Sequence, residues 1–434
     1  MTNSYIVHYG ELGLKGRNRI NFERRLIENV RTALGDLGRA RVERFHGYMM
    51  VAPPETAPAA EVESRLRRIP GIAYFAPVTT TPLDMDTMTQ AAVRLAREAL
   101  APQTAIAPRT AVAPRTAVAP QTAVAPRTAV APQTAGAPRT AGTTGLPSFR
   151  VRCTRGNKQF PFTSPEVDRE IGAQIVAATG APVDLKDADV TLTIQIYEET
   201  AYLFAHRIPG AGGLPVGSSG RVIALFSGGI DSPVAAHLMM RRGCKVDFVH
   251  FHLLRGAPRI REAKVVAMVR QVLAPHRVRG RLYMISAAPF EAAMAPLDSR
   301  VATVVFRRFI MRTAERIARY RKAPALVTGD SVGQVASQTL TNINVISQVT
   351  RLPILRPLIG MDKQDIITLA KEIDTYELSI QPYQDPCSLH AQRPATRARL
   401  DEVRQLEEQI DVEALLKETL TNHVEEIRIS FDGA

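Results

Sequence analysis

At 434 residues the chain is too long for one compact core, and roughly two to four domains are expected. Lys plus Arg outnumber Asp plus Glu 55 to 42, a formal charge of +13 that favours a polyanionic partner such as nucleic acid. The three cysteines, Cys153, Cys244 and Cys387, have no CxxC spacing and exclude a disulfide framework or a cysteine zinc site, and no apolar run is long enough to cross a membrane.

A reducing, cytoplasmic setting with no membrane partner is therefore expected, and the chain opens on nothing that resembles a signal peptide. A strand is expected at residues 4–9 and a helix at 21–34, where Phe22, Leu26, Val30 and Leu34 recur on one side. A further strand at 42–51 ends at Pro53-Pro54, and residues 61–68 begin a second unit. Leu83-Asp84 opens a helix to about residue 100, with Met88, Ala92, Leu95 and Ala99 at helical spacing.

Residues 101–142 are seven copies of the hexamer Ala-Pro-(Gln/Arg)-Thr-Ala-(Val/Ile/Gly). A proline in every copy excludes a helix interior and a central strand. Small side chains leave little to bury, so polyproline II or disorder is the physical default. Six residues make two turns of that helix, which lines Gln103, Arg109, Arg115, Gln121, Arg127, Gln133 and Arg139 along one side, about 19 Å apart. The stretch reads either as an expansion tolerated in a surface loop or as a basic arm touching RNA.

Folded sequence resumes with a strand at 149–153. Thr163-Ser164-Pro165-Glu166 then starts a helix with a hydroxyl cap and an early proline. Residues 191–197 and 201–206 form a hairpin, and the glycines from Gly210 to Gly220 mark a linker. Beyond Arg221, apolar strands at 222–226, 246–251, 282–285 and 325–328 alternate with helices at 233–242, 262–273 and 301–320, and Asp362 caps another. Such alternation predicts a parallel sheet covered on both faces. Residues 400–429 read as one or two charged helices. The expected divisions are 1–59, 60–207 with the 101–142 insert, a 208–220 linker, 221–397 and 398–434.

The strand at 222–226 runs directly into Ser227-Gly228-Gly229-Ile230-Asp231-Ser232-Pro233. Its glycines let the backbone turn tightly and approach a ligand. Backbone N–H groups, two hydroxyls and a helix start make an anion site. No Gly-x-x-x-x-Gly-Lys-Ser/Thr occurs, so the P-loop lysine is missing. The loop resembles the PP-loop pyrophosphatase signature Ser-Gly-Gly-x-Asp-Ser, whose enzymes cleave ATP between its α- and β-phosphates and adenylate an acceptor.

Further stretches narrow the acceptor. They are Gly10-Glu11-Leu12-x-Leu14-Lys15-Gly16-x-Asn18-Arg19 with Phe22-Glu23, Arg152 to Pro165 with its Phe160-Pro161-Phe162, and Leu326 to Thr339 with its Gly329-Asp330-Ser331. Together with residues 352–365 they resemble the tRNA 4-thiouridine synthetase (ThiI) family, in the same order over nearly the whole chain. The resemblance implies an α/β and α+β multidomain protein: a ferredoxin-like N-terminal domain, a THUMP RNA-binding domain, and a PP-loop (adenine nucleotide α hydrolase-like) doubly wound parallel sheet. It implies ATP and Mg²⁺ as cofactors and uridine 8 of tRNA as substrate. Family ATP contacts fall on Leu225, Phe226, His250, Phe251, Arg307, Gly329 and Gln338, joined by the loop residues Ser227, Gly228, Gly229, Asp231 and Ser232; Asp231 would help bind Mg²⁺-pyrophosphate.

Plainer readings stand beside these. Leu225 and Phe226 end a buried strand, and one of Arg307 and Arg308 is expected to be solvated. His250 and His252 form His-x-His with no third ligand in view, so zinc is not expected. For RNA, Lys15, Arg17 and Arg19, with Arg24 and Arg25, cluster early; Arg152, Arg155 and Lys158, with Arg150, cluster later. Such contacts read tRNA shape and phosphates.

Cys387 lies in the polar loop Tyr383-Gln384-Asp385-Pro386-Cys387-Ser388-Leu389, and the resemblance implies that it carries a persulfide. Many relatives have a cysteine where Pro386 stands. Cys244 and Cys153 lie at strands and read as structural, with a Cys244–Cys387 disulfide during turnover left open. No rhodanese domain follows, so sulfur is expected directly from a cysteine desulfurase or another persulfide donor. A sulfur-carrier protein for thiamine thiazole synthesis and a homodimer are further partners left open. The alternatives are a PP-loop thiolase or ligase for another tRNA base, or a tRNA-binding sulfur-relay protein.

Overall fold

The structure is a computed structural model and describes residues 4–101, 146–254, 259–260, 263–297, 299–383, 386 and 394–430. Residues 102–142 of the repeat, and Cys387, lie outside the described residues. The chain divides into two compact units, Met1–Pro77 with Arg207–Ala434, and Val78–His206.

The first unit opens with β1 (Ser4–His8), α1 (Arg19–Leu34), β2 (Arg41–Arg44), β3 (Tyr48–Ala52) and α2 (Ala59–Arg68). The single strand expected at 42–51 is a hairpin, because Gly47 takes φ +96° and turns β2 back against β3. Tyr5 and Val7 of β1 face Leu26 and Val30 of α1. Val62 and Leu66 of α2 are fully buried in that same core. The expected boundary at residue 59 therefore falls inside a packed unit, which extends to Pro77. There β4 (Tyr74–Pro82) begins, and its first residues pair with β8 (Ile208–Pro209).

The second unit holds α3 (Met85–Leu100), β5 (Phe149–Arg155), α4 (Ser164–Thr179), β6 (Val190–Tyr197) and β7 (Thr200–Phe204). Asp84 caps α3 by accepting the Thr87 N–H at 2.8 Å. The Glu166 carboxylate accepts the Thr163 N–H at 2.6 Å and its hydroxyl at 2.8 Å, fixing the start of α4. β5 runs parallel to β6, which forms the expected hairpin with β7; the end of β4 pairs with β7. Both helices cover one sheet face, with Met88, Val167, Ile171 and Ile175 packed on Phe149 and Ile194.

The remainder of the first unit is the predicted doubly covered sheet, in the order β13-β12-β9-β10-β11-β14. Its strands are β9 (Arg221–Leu225), β10 (Lys245–His252), β11 (Gly280–Ser286), β12 (Leu326–Val327), β13 (Ile354–Leu355) and β14 (Val424–Ile429). All are parallel except β14, which is antiparallel to β11. Helices α5 (Asp231–Arg241), α6 (Lys264–Leu273) and α10 (Lys363–Glu372) cover the face of Val222, Phe248 and Met284. The opposite face, carrying Ile223, Phe251 and Ile285, is covered mainly by α8 (Ala302–Tyr320), α12 (Leu400–Gln409) and α13 (Val412–Asn422); α7 (Ala288–Met294) and α9 (Leu340–Ser347) contribute there, and α11 (Tyr376–Ser379) is a short turn after α10.

Two expectations fail here for one reason. Residues 398–434 are not a separate segment, because Val403, Leu406, Leu415 and Leu416 pack in the same core as Phe306 and Phe309 of α8. Arg308 is not solvated: it is 3% exposed, and its guanidinium donates to both Glu407 carboxylate oxygens at 2.8 and 2.9 Å. Burial raises the Glu407 pKa, but Arg308 and Arg312 more than reverse this and hold the carboxyl below its ordinary range. The end of the supposed charged helices is β14, whose Glu426 receives Arg281 from β11 at 2.6 Å. Charged side chains on an edge strand discourage pairing with another chain.

Candidate active site

β9 lies between β10 and β12, so the chain leaves it in one direction and later returns on the other side. Ligands of open parallel sheets sit at such a switch, outside the carboxyl ends of the strands. There Ser227–Ile230 link β9 to α5. The Ser227 N–H donates to Ser232 Oγ at 2.9 Å, and the Ser232 hydroxyl donates back to the Ser227 carbonyl at 3.1 Å. The Gly229 N–H donates to Ser227 Oγ at 3.3 Å. Both hydroxyls thus hold the loop shape, while the unpaired first-turn N–H groups of α5 face outward from the helix start. Gly329, just after β12, packs on this helix start: a Cβ there would lie 3.0 Å from the backbone of Asp231 and Ser232.

Behind the loop is a cavity of about 230 Å³, whose lining includes Phe226, Phe251, Arg307, Thr328, Gly329 and Gln338. One wall is fixed by a buried carboxylate. Asp330 accepts from Arg307 Nη2 at 2.5 Å, from the Thr328 hydroxyl at 2.8 Å and from Arg356 Nε at 3.3 Å. Burial acts to raise the Asp330 pKa, and Arg307, Thr328 and Arg356 overcome it, so the carboxyl stays below its usual range. Arg307 also donates to Ser337 Oγ at 3.0 Å. Gln338 Oε1 is buried with no hydrogen-bond partner among the described residues. A buried acceptor left over in a cavity wall fits an amino-bearing ring such as adenine.

At the loop, Asp231 is held from two sides. Lys363 Nζ lies 2.5 Å from Oδ1, and Gln334 Nε2 donates to Oδ2 at 2.8 Å. Lys363 comes from the start of α10, where Asp362 caps the helix by accepting the Gln364 N–H at 2.7 Å. Among the described residues, no cluster of three or more His, Cys, Asp or Glu could hold a metal. A Mg²⁺ ion fits here only with Asp231 as one ligand and phosphate oxygens and water as the rest, which is how Mg²⁺ usually binds.

The two histidines of β10 are both engaged. His250 Nδ1 sits 2.7 Å from the Phe226 carbonyl, and its Nε2 is 2.7 Å from Tyr383 Oη. A carbonyl only accepts, so Nδ1 carries the proton; in the neutral ring Nε2 then accepts from the Tyr383 phenol. His252 Nδ1 accepts the Leu254 N–H at 3.1 Å, and burial, followed by His250, pushes its pKa down to about 4.

Residues 384–393 connect two fixed ends. On one side the Tyr383 ring lies against the loop, where a Cβ on Gly228 would be 2.6 Å from Cδ1. On the other, Asn342, fully buried, donates to the Ala395 carbonyl at 2.8 Å and accepts the Ala398 N–H at 2.9 Å. Thr339, next to Gln338, donates its hydroxyl to the Thr396 carbonyl at 2.7 Å.

The ATP-site residues expected from the sequence therefore gather at one place: Leu225, Phe226, Ser227, Asp231, Ser232, His250, Phe251, Arg307, Gly329 and Gln338 all line the cavity, with Gly228 and Gly229 in the adjoining loop. Sequence reasoning missed Asp330, Lys363, Gln334 and Arg356 as members, and Tyr383 as a neighbour of the loop. Gly329-Asp330-Ser331 and Asp362-Lys363 were visible, but nothing local says that they converge on Asp231 and Arg307. Cys244 is buried at the opposite end of β10 from His250, about 20 Å away at strand rise. Burial raises its thiol pKa, and that of Cys153 to about 11.

Each of the two units carries one of the basic clusters. In the first, Arg17 is exposed, Lys15 lies over the Phe22 ring at 5.3 Å, and Arg19 is drawn into a network with buried Glu23 at 2.6 Å and the Tyr9 hydroxyl at 2.8 Å. In the second, Arg152 and Lys158 are exposed, while Arg155 ties down its loop by donating to the carbonyls of Phe160 at 3.0 Å and Phe162 at 2.6 Å. No helix among the described residues is long and apolar enough to cross a membrane.

Comparison with known proteins gives consistent matches. The family described as thiamine biosynthesis protein (ThiI) matches residues 217–412, the ThiI ferredoxin-like domain 4–76 and the THUMP domain 135–205. A Thermus thermophilus protein named "Probable tRNA sulfurtransferase" is 40% identical over 415 residues, covering 94% of this chain and 89% of that protein. One of the same name from Halothermothrix orenii is 35% identical, with 96% of each covered. A crystal structure of a 4-thiouridine synthetase–RNA complex with bound ATP superposes with a TM-score of 0.79 and 30% identity, covering 99% of this chain and 100% of that one.

Proposed function

The chain belongs to the ThiI family of tRNA sulfurtransferases, and we propose that it replaces O4 of uridine 8 in tRNA with sulfur by two steps at one pocket. In the first, uridine O4 attacks the α-phosphorus of ATP, and pyrophosphate leaves. The adenine ring occupies the cavity with its amino group on Gln338 Oε1, and the phosphates lie over Ser227–Ser232 at the α5 start. Lys363 brings the ammonium that the loop sequence lacks, and Asp231 holds it beside the phosphates. Mg²⁺, when bound, neutralises phosphate charge; Asp231 is the carboxylate available to it.

In the second step the terminal sulfur of a Cys387 persulfide bonds to C4, and the C4–O bond to AMP breaks. The resulting disulfide between Cys387 and the base takes two electrons from an external thiol, which releases 4-thiouridine. The persulfide itself comes from a cysteine desulfurase or similar donor. Exposed Arg17, Arg152 and Lys158 are suited to tRNA phosphates. The same persulfide chemistry would serve a sulfur-carrier protein in thiazole synthesis, and the reaction fits a reducing cytoplasm.

One observation carries this reading: both fixed ends of the Cys387-bearing segment are tied at or next to residues of the nucleotide site, Tyr383 on His250 and Gly228, and Thr396 on Thr339, the neighbour of Gln338 in sequence. Incubation with unmodified tRNA, ATP, Mg²⁺, a persulfide donor and a thiol reductant should give 4-thiouridine and AMP in equal amounts. Cys387→Ser should keep tRNA-dependent pyrophosphate release and lose persulfide-dependent thiolation. Asp231→Ala should lose both. Unchanged thiolation by Cys387→Ser would remove that cysteine from the reaction, and tRNA binding without pyrophosphate release would favour a sulfur-relay role.

A further inference from the structure

Tyr383 does not line the cavity, yet it makes three separate contacts around it. Its phenol meets His250 Nε2 at 2.7 Å, and through that ring it is tied to the carbonyl of Phe226, the residue just before the phosphate loop. Its ring rests on Gly228, and Lys264 Nζ stands 5.7 Å from the ring centroid. Lys264 is in turn fixed by donating to the carbonyls of Ser379 at 2.8 Å and Gln381 at 2.6 Å, so the chain leading to Tyr383 is pinned as well. Burial obliges both polar groups to find a partner but does not dictate which one. This pair links the backbone of β10 and the loop to a residue four positions before Cys387.

We propose that Tyr383 is a positioning residue for sulfur transfer: its bond to His250 and its seat on Gly228 fix where the Cys387-bearing segment leaves the nucleotide site, and it takes no part in forming the adenylate. The assignment rests on the two-step reading above. It separates the demands of the two steps. Adenylation draws on the loop, Arg307, Gln338 and Lys363, whereas the Tyr383 hydroxyl meets the ring of His250 on β10. Sulfur transfer needs a side chain from another segment to reach C4, and misplacement of a reacting group by about 1 Å costs on the order of a hundredfold in rate.

Tyr383→Phe keeps the ring on Gly228 and removes only the donor, which makes it the variant of choice. Wild-type and variant proteins are each given unmodified tRNA, ATP, Mg²⁺ and a thiol reductant, with sulfur supplied either by a cysteine desulfurase with cysteine or as millimolar sodium sulfide, which displaces AMP from the adenylate directly. Pyrophosphate release, the KM for ATP and sulfide-dependent thiolation should match wild type within about twofold, while persulfide-dependent thiolation falls about tenfold or more. A wild-type ratio of the two thiolation rates in the variant would overturn the proposal, as would an equal loss in both. Tyr383→Ala, which also removes the ring, should lower the ratio further, with an unchanged melting temperature showing that the fold persists. A wild-type protein that makes no 4-thiouridine from either source would instead refute the underlying function.

Discussion

Replacing Asp330 with asparagine tests how the nucleotide wall is built. The carboxylate is 3% exposed and accepts from Arg307, Thr328 and Arg356. Asparagine has nearly the same shape, but it loses the charge and turns one acceptor into a donor facing groups that also donate. Breaking a buried ion pair by removing one partner costs about 3–5 kcal/mol. The two arginine side chains retain 17% and 16% exposure and can reach some water, so the lower end, about 3 kcal/mol, is expected. Arg307 lines the cavity, and losing the bond that orients it should also raise the KM for ATP about tenfold, the equivalent of about 1.4 kcal/mol. Urea unfolding and steady-state pyrophosphate release measure the two effects. The pH dependence has a definite sign. A carboxyl held below its ordinary pKa contributes stability that is complete above the unfolded value, near 4, and is lost as pH falls through the lower folded value. The gap between wild type and Asp330→Asn should be flat at neutral pH and close below about pH 4. Equal unfolding midpoints at pH 7 with an unchanged KM would show that Asp330 does not hold Arg307.

Glu407→Gln removes the charge that faces Arg308 and Arg312 outside the cavity lining; it should cost about 3 kcal/mol in urea unfolding and leave the KM for ATP unchanged. Gly228→Ala places a Cβ 2.6 Å from the Tyr383 ring and should depress pyrophosphate release and thiolation together, measured side by side. Iodoacetamide at pH 7.5 should label the native protein at Cys387 and spare buried Cys153 and Cys244, so Cys387→Ser should incorporate almost none by intact mass. Deleting residues 101–142 should preserve ATP binding and soluble expression, and loss of either would show that the repeat supports the fold.

The sequence made the phosphate loop and the parallel sheet legible because both are local: an apolar strand, two glycines, two serines and a helix start within twelve residues. The capping residues Asp84, Thr163 and Asp362 act over two or three positions and were equally readable. What escaped depends on contacts between distant segments. One of Arg307 and Arg308 reads as solvated in the sequence, because Glu407, the partner of Arg308, lies 99 positions away. β14 looked helical because Glu425, Glu426 and Arg428 dominate its composition, and only pairing with β11 makes its alternation meaningful. α2 was assigned forward along the chain, although Val62 and Leu66 pack backward onto α1. Within the site, Lys363 and Gln334 gain their meaning from Asp231, more than a hundred residues earlier.

The burial of Cys244 at the far end of β10 bears on stoichiometry. Cys153 is buried too, and the sequence holds no fourth thiol. On the two-step reading, neither buried thiol is placed to reduce the disulfide that joins Cys387 to the base, so that step depends on an external thiol. Supplied with a single persulfide loading and no reducing agent, the protein should stop with up to one equivalent of tRNA held on Cys387 as a disulfide, and release 4-thiouridine only when a thiol is added. The rate at which cellular thiols or dithiol carriers regenerate it would then govern how fast tRNA is modified.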